Sequence, residues 1–353
     1  MTGQIVLAYS GGFGSSAALG VLARQADVIA VVVDFGTGDV DLDTVRRRAV
    51  ADGAADVVVV RAGEQLADEQ CLAALQANAV LLGRYPLVAS LARPVLAGHL
   101  VAVAEDRGAS AIAHGGDAPL ATMVTDLAPG LPVLEPVAGP AAMARYAHDR
   151  RLPTEGPQVS VKRTLWGRGG ENRAPLFSCT EEAEVNADAP DEVVVTFERG
   201  VPVALDGETV RVAEAVQRLG HRAGAHGVGR FDLSAGGGYE APGAVALITA
   251  HQDLESRTLE RDLARFKQGV DRRWTDLVHD GSWFSPLREP LDAFIRQAQE
   301  RVSGDVRLVL HAGAVTAGHG GSSHDLRPAG SRYRPVTGRG PLGLTRHPTT
   351  QAS

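Results

Sequence analysis

The apolar runs in the first half of the chain, at 4–9, 28–33, 57–60, 111–113 and 132–134, are short, continuous and bounded by glycine or polar residues. Runs without alternation belong to strands covered on both faces, as in a parallel sheet. Between them, 16–24, 42–52, 66–79, 94–106 and 141–150 carry helical patterns. Strand and helix in alternation predict an α/β fold, a doubly wound parallel sheet with its ligands at the carboxyl ends of the strands. Ser10 to Ser16, Asp34 and the pair His114-Gly115 then share one rim.

The second half reads differently. A stretch at 152–190 rich in proline, glycine and acids joins the halves. Strand-like 193–197 and 201–205 flank Glu198-Arg199-Gly200, a hairpin-type turn. A helix is expected at 210–223, a strand at 228–233, and a loop at Gly236-Gly237-Gly238. Residues 245–266 contain no proline or glycine and predict one long helix. Leu291, Phe294, Ile295, Ala298 and Val302 recur at three-to-four spacing on an apolar helical face, and 306–310 predict a last strand. No periodicity remains at 320–353, which predicts a disordered tail. The expected domains are 1–155, of α/β type; 156–315, of α+β type; and 316–353, the tail. No internal repeat is evident.

Composition narrows the function. The net charge is −7, and five arginines against one acid beyond residue 312 put +4 in the tail, so the body is acidic and no nucleic acid is expected as partner. No run reaches the roughly 20 apolar residues that cross a bilayer, and no signal peptide is visible, so the expectation is no membrane and a cytoplasmic location. Cys71 and Cys179 lie far apart, outside any zinc or disulfide spacing. Cys71 falls in a helical pattern and reads as packed. No metal-ligating residues are predicted.

The candidate chemistry sits at Ala8, Tyr9, Ser10, Gly11, Gly12, Phe13, Gly14, Ser15 and Ser16, where a strand runs through glycines into a helix. The glycines let a ligand approach the main chain, and the helix amino end attracts a phosphate. Two ligand readings stand beside that of a turn which binds nothing. Gly12-Phe13-Gly14-Ser15-Ser16-Ala17 fits G-x-G-x-x-A with Asp34 about twenty residues on, as in dinucleotide folds. Ser-Gly-Gly before a helix also fits the loop by which ATP pyrophosphatases hold the β- and γ-phosphates. The loop alone does not separate them.

Short motifs in order along the chain do. They include Leu-Ala-Tyr-Ser-Gly-Gly (7–12), Gly-Arg-Tyr-Pro-Leu (83–87), Leu-Ala-Arg-Pro (91–94), Ala-Ile-Ala-His-Gly (111–115) and Leu-Trp-Gly-Arg (165–168). His-Gly-Val-Gly-Arg-Phe-Asp (226–232), Tyr-Glu-Ala-Pro-Gly (239–243) and Trp-Phe-Ser-Pro-Leu-Arg-Glu (283–289) follow. Over 4–320 the chain resembles the argininosuccinate synthase family, of the ATP pyrophosphatase type. The resemblance implies a nucleotide-binding domain and a synthetase domain. It implies a reaction with MgATP in which a citrulline ureido oxygen attacks the α-phosphate, pyrophosphate leaves, and the aspartate amine displaces AMP. ATP and Mg2+ are therefore the expected cofactors. Ala8 to Ser16, Val33 and Gly115 stand at ATP positions, and Tyr85, Ser90, Ser160 and Tyr239 at citrulline positions; His114 is given no role, and no catalytic residue is assigned.

The chain departs from the family pattern at the loop, where Ser-Gly-Gly-Phe-Gly-Ser-Ser replaces Ser-Gly-Gly-Leu-Asp-Thr-Ser and Gly14 stands for a carboxylate near the metal. The segment after Gly115 runs Gly116-Asp117-Ala118-Pro119 and lacks the family's aspartate anchors; Asp117 reads as a turn residue. Gly169 stands for a citrulline-binding serine. The expected function is an AMP- and pyrophosphate-forming ligase with a citrulline-like acceptor and an altered amine donor. The competing readings are a catalytically impaired ATP-binding paralogue and an authentic argininosuccinate synthase. The expected partners are small-molecule substrates, with homo-oligomerisation doubtful beyond a dimer.

Overall fold

In the chain's first half, β1 (Gln4–Ala8), β2 (Asp27–Asp34) and β3 (Asp56–Arg61) alternate with α1 (Phe13–Leu22) and α2 (Leu42–Ala51). These are the strands and helices that the apolar runs predict. The computed structural model describes residues 3–137, 148, 160–170, 177–183, 189–232 and 238–318. Most of the helix expected at 141–150, the join at 152–159 and the tail lie outside the described residues. After β3 come α3 (Gly63–Gln65), a π-helical turn (Leu66–Cys71) and α4 (Leu72–Gln76). The hairpin β4 (Val80–Leu81) and β5 (Tyr85–Pro86) leads into α5 (Ala89–Arg107), β6 (Ala111–Ala113), α6 (Ala118–Leu127) and β7 (Val133–Leu134). Cys71 is buried, as its helical setting predicts.

The sheet is parallel throughout, in the order β3-β2-β1-β6-β7. Val28 to Val33 are all at most 2% exposed, so helices cover both faces of β2, which is why its sequence is a run of valines rather than an alternation. The chain leaves β1 on one side for β2 and β3, then returns on the other as β6. The crevice beyond the β1 carboxyl end is therefore the switch point where a ligand fits.

In the second half, β10 (Asp191–Glu198), β11 (Val201–Leu205), β12 (Glu208–Thr209), β15 (Gly304–His311) and β16 (Ala314–Gly318) form an antiparallel sheet, ordered β12-β11-β10-β15-β16. Its Glu198-Arg199-Gly200 turn has φ of 49° at Arg199 and 73° at Gly200, the left-handed pair of a tight hairpin. A smaller sheet joins β8 (Arg163–Thr164), β9 (Gly167–Gly170), β13 (Arg230–Asp232) and β14 (Gly238–Glu240). Helix α7 (Val212–Ala225) packs on α8 (Pro242–Thr258), where Gly243 lies so close that a Cβ would sit 2.3 Å from the Val216 oxygen.

Three expectations change. The helix read across 245–266 is two, α8 and α9 (Arg261–His279). Leu259 is extended, and the Glu260 carboxylate caps α9 by accepting from Asp262 N at 2.9 Å and Leu263 N at 3.2 Å. A cap made by glutamate, without glycine or proline, leaves no usual break signal. Asp117 is the amino cap of α6, a helix absent from the sequence reading. Gly238 opens β14 rather than continuing a loop. The last helix, α10 (Arg288–Gln299), forms as its apolar face predicts.

A buried ionic network joins the turn after α4 to α8, α9 and α10. Lys267, 1% exposed, places Nζ 2.8 Å from both Asp271 oxygens, 3.0 Å from Glu255 Oε1 and 2.7 Å from the Gln76 oxygen. Glu255 also accepts from Asn78 at 2.6 Å and Gln299 at 2.7 Å. The His251 ring nitrogens lie 2.8 Å from Asn78 Oδ1 and 2.8 Å from Gln299 Oε1, and burial pushes the pKa of that imidazole down against the pull of Glu255. One ammonium serves two carboxylates, so they part company. Burial opposes the Glu255 charge, yet His251, Lys267 and the Gln299 amide hold its carboxyl below the usual range. Burial pushes the Asp271 carboxyl up to about 7 despite Lys267.

The native state thus keeps a proton on Asp271 that the unfolded chain gives up near the ordinary carboxylate pKa of 3.8. The stability this proton brings is complete below that ordinary value and is lost as pH rises to about 7. Relative to Asp271→Asn, the wild type is expected to lose up to about 1.4 kcal/mol per pH unit across that window and to level off above it. Urea unfolding of both proteins across pH checks this; a difference independent of pH would contradict it.

Candidate nucleotide-binding site

A cavity of about 360 Å3 opens at the carboxyl ends of β1, β2 and β6. Of the predicted ATP positions, Ala8, Tyr9, Ser10, Gly12, Phe13, Gly14, Ser15, Val33 and Gly115 line it. Gly11 and Ser16 do not. Gly11 turns the chain at φ 73°, and Ser16 is 1% exposed, its hydroxyl 3.2 Å from Tyr9 Oη. The Tyr9 hydroxyl donates to Asp52 Oδ2 at 2.8 Å, and burial raises its pKa, so it stays protonated.

Serines hold the loop in shape. Ser15 Oγ donates to the Gly12 oxygen at 2.9 Å and accepts from Ser10 N at 3.1 Å, while Ser10 Oγ accepts from Gly12 N at 3.2 Å. Helix α1 begins at Phe13 on Gly12, which has no side chain to cap the first amides. An uncapped helix start facing a cavity suits an anion. Gly115 crosses directly over this start: a Cβ there would lie 2.6 Å from Gly14 C and 2.7 Å from Ser15 N. Only glycine permits that approach.

The far wall brings in His114 and Asp117, to which the sequence reading gave no binding role, and Lys162. His114 accepts through Nδ1 from Gly116 N at 3.1 Å and Asp117 N at 3.0 Å, which puts the neutral ring's proton on Nε2. Burial pushes its pKa down, against the pull of Glu135 and Asp117. Asp117 caps α6 through Leu120 N at 3.2 Å, and its carboxylate takes Arg93 Nε at 2.9 and 3.1 Å. Lys162 lines the cavity with Ser160. The available signal was positional, since His114 and Asp117 follow a strand end on the sheet's ligand rim.

The four predicted substrate residues fall in two places. Ser160 lines the nucleotide cavity, its Oγ accepting from Lys162 N at 3.2 Å. Tyr85 and Tyr239 instead pack with Phe231, ring centroids 5.4 to 6.0 Å apart, and the Tyr239 hydroxyl donates to the Pro86 oxygen. Ser90 is buried in the first turn of α5. None of these three lines the cavity.

Residues 4–145 match the family model of the arginosuccinate synthase N-terminal HUP domain, and residues 169–327 that of the arginosuccinate synthase C-terminal domain. The chain belongs to the argininosuccinate synthase family. It carries that family's ATP-binding HUP domain, seen here as the five-stranded parallel sheet, and the family's members are ATP-dependent ligases acting on small molecules. Within the HUP match lie the loop, His114 and Asp117, with Gln76 and Asn78 of the ionic network; within the C-terminal match lie Tyr239 and the network's His251, Glu255, Lys267, Asp271 and Gln299. Among the described residues no group of three His, Cys, Asp or Glu is placed to hold a metal, and Asp117 is the only carboxylate lining the cavity. No helix among them is long and apolar enough to cross a membrane.

Proposed function

We propose that this member of the family adenylates a citrulline-like acceptor, bearing a ureido or amino-acid group, and passes it to an amine other than aspartate. The uncapped start of α1 beneath Gly115 carries this reading, because amides fixed on a glycine surface hold phosphate oxygens without reorganising. Lys162 adds a cation on the facing wall. The neutral His114 offers an Nε2 proton from a ring fixed by two backbone donors. Mg2+ arrives on the nucleotide as MgATP, because the protein has no carboxylate cage for it among the described residues. An acceptor oxygen attacks the α-phosphate and the bond to pyrophosphate breaks; the amine then attacks the activated carbon and AMP leaves. The altered amine rests on the segment after Gly115, which lacks the family's aspartate anchors and whose one carboxylate, Asp117, is committed to Arg93.

Exchange of labelled pyrophosphate into ATP tests the first step. It is expected with at least one ureido or amino-acid substrate, while citrulline plus aspartate gives little argininosuccinate. Silence across such a panel, with ATP still bound, makes the protein a non-catalytic nucleotide binder; efficient argininosuccinate formation makes it an authentic synthase.

A further inference from the structure

A second cavity, of about 460 Å3, lies between the Gly36 to Gly38 loop, the β8–β9 hairpin and helix α7. It is not an extension of the substrate positions. In β9 and β14, Gly169 pairs with Tyr239 and Arg168 with Glu240, and neighbouring residues of a strand face opposite ways. Tyr239 turns to Tyr85 and Phe231, whereas Arg168 and Glu240 line the cavity.

Its inner wall holds a guanidinium with donors to spare. Arg168 is 5% exposed; Nη1 donates to Asp39 Oδ2 at 2.8 Å and Ser178 Oγ at 2.6 Å, and Nε lies 4.0 Å from Glu240 Oε1. Its Nη2 protons have no hydrogen-bond partner among the described residues. The neighbouring acids keep their charge, but each is turned to donors of its own. Asp39 is shared with Arg163 at 3.1 Å, and Glu240 accepts from Ser178 N, Cys179 N and the Thr180 hydroxyl. Trp166 is 1% exposed, lines the same cavity, and its Nε1 proton also lacks a partner among the described residues. The remaining wall is mixed: Leu165, Val216, Pro242 and glycine backbone give it an apolar floor beside Trp166, and Thr37, Thr164, Gln217, Arg218 and His221 a polar side.

We propose that this cavity is a second small-molecule site, one that takes a small monocarboxylate with a flat apolar body, its carboxylate on Arg168. A planar guanidinium with an open edge matches a carboxylate, and the volume is that of an ordinary ligand pocket. The site touches the nucleotide cavity through one strand of chain: Gly36 N donates to Asp34 at 3.0 Å, and Leu165 N to the Phe35 oxygen at 3.0 Å, Phe35 lining the first cavity.

Cys179 supplies the reporter. It lines this cavity and is exposed, whereas Cys71 is buried. The rate at which iodoacetamide alkylates Cys179 in the full chain is followed by mass spectrometry, without nucleotide, against benzoate and its neutral analogue benzamide. Benzoate is expected to slow alkylation saturably, by roughly tenfold at ten times its dissociation constant, and benzamide hardly at all. Gln217→Trp, at an exposed position on the cavity wall, is expected to abolish the protection and leave the melting temperature unchanged. Equal protection by both compounds, or none by benzoate on the folded protein, overturns the proposal. The assay involves no adenylation, so its outcome is independent of the ligase reading.

Discussion

Replacing Lys267 with methionine is expected to cost about 3–5 kcal/mol of folding stability, the usual penalty for stranding a buried charge. Nearly the whole side chain is enclosed, and its ammonium is the cation beside both Glu255 and Asp271. Methionine fills the same volume but leaves a carboxylate without its partner and the Gln76 oxygen without its donor. Against a typical total of 5–15 kcal/mol, such a loss is visible as a large fall in the urea midpoint. Adding Glu255→Gln and Asp271→Asn to the methionine variant is expected to restore most of it, because a neutral network has no charge to strand. A single-variant loss below about 1 kcal/mol would mean that water reaches the lysine and the network is not closed.

Gly115→Ala is the second large effect, and it falls on function. The methyl group would enter the space of the Gly14–Ser15 peptide at 2.6 to 2.8 Å, well inside contact distance with atoms that cannot rotate away. The helix start or the β6 loop has to shift, and the amides lose their common focus. A displacement of that size at a phosphate-binding group costs roughly 100-fold in kcat/KM. The expected result is loss of ATP binding and of pyrophosphate exchange with far-ultraviolet circular dichroism unchanged. Wild-type nucleotide affinity in this variant would show that the phosphates sit elsewhere.

The parts of the fold that were legible in the sequence are those where burial writes a pattern. The continuous apolar runs gave the parallel strands, because a strand such as β2 is covered on both faces and needs no polar alternation. Arg199-Gly200 announced its hairpin because a tight turn demands left-handed backbone there. Nothing local marked the break between α8 and α9, since a glutamate cap is invisible beside an uninterrupted helical pattern. Asp117 had a local reading as a turn residue, and its role as a helix cap matches that geometry; its bond to Arg93 spans 24 residues and is set by packing alone.

The site divides along the same line. Most of the residues lining the first cavity at the β1–α1 loop could be named from the sequence because glycine and serine spacing encodes backbone geometry directly. Ser16 was misplaced relative to the cavity because helix phase, once α1 starts at Phe13, turns it inward to Tyr9. Tyr85 and Tyr239 were named because they stand at citrulline positions of the family, yet ring packing with Phe231, and for Tyr239 the bond to Pro86, decide where they point. The second cavity draws on two of the motifs, Leu-Trp-Gly-Arg (165–168) and Tyr-Glu-Ala-Pro-Gly (239–243), yet neither says that it shares a space with the other and with a helix; packing alone brings them together.

Capture of the ATP terminal phosphates by the amides of Phe13, Gly14 and Ser15 is tested most directly by titrating ATP into 15N-labelled protein, with pyrophosphate as competitor. One molecule is expected to bind, with the amide resonances from Gly11 to Ser16 and of Gly115 moving together and reverting when pyrophosphate displaces the nucleotide. Binding that leaves those resonances still, or no binding by a folded protein, would contradict it.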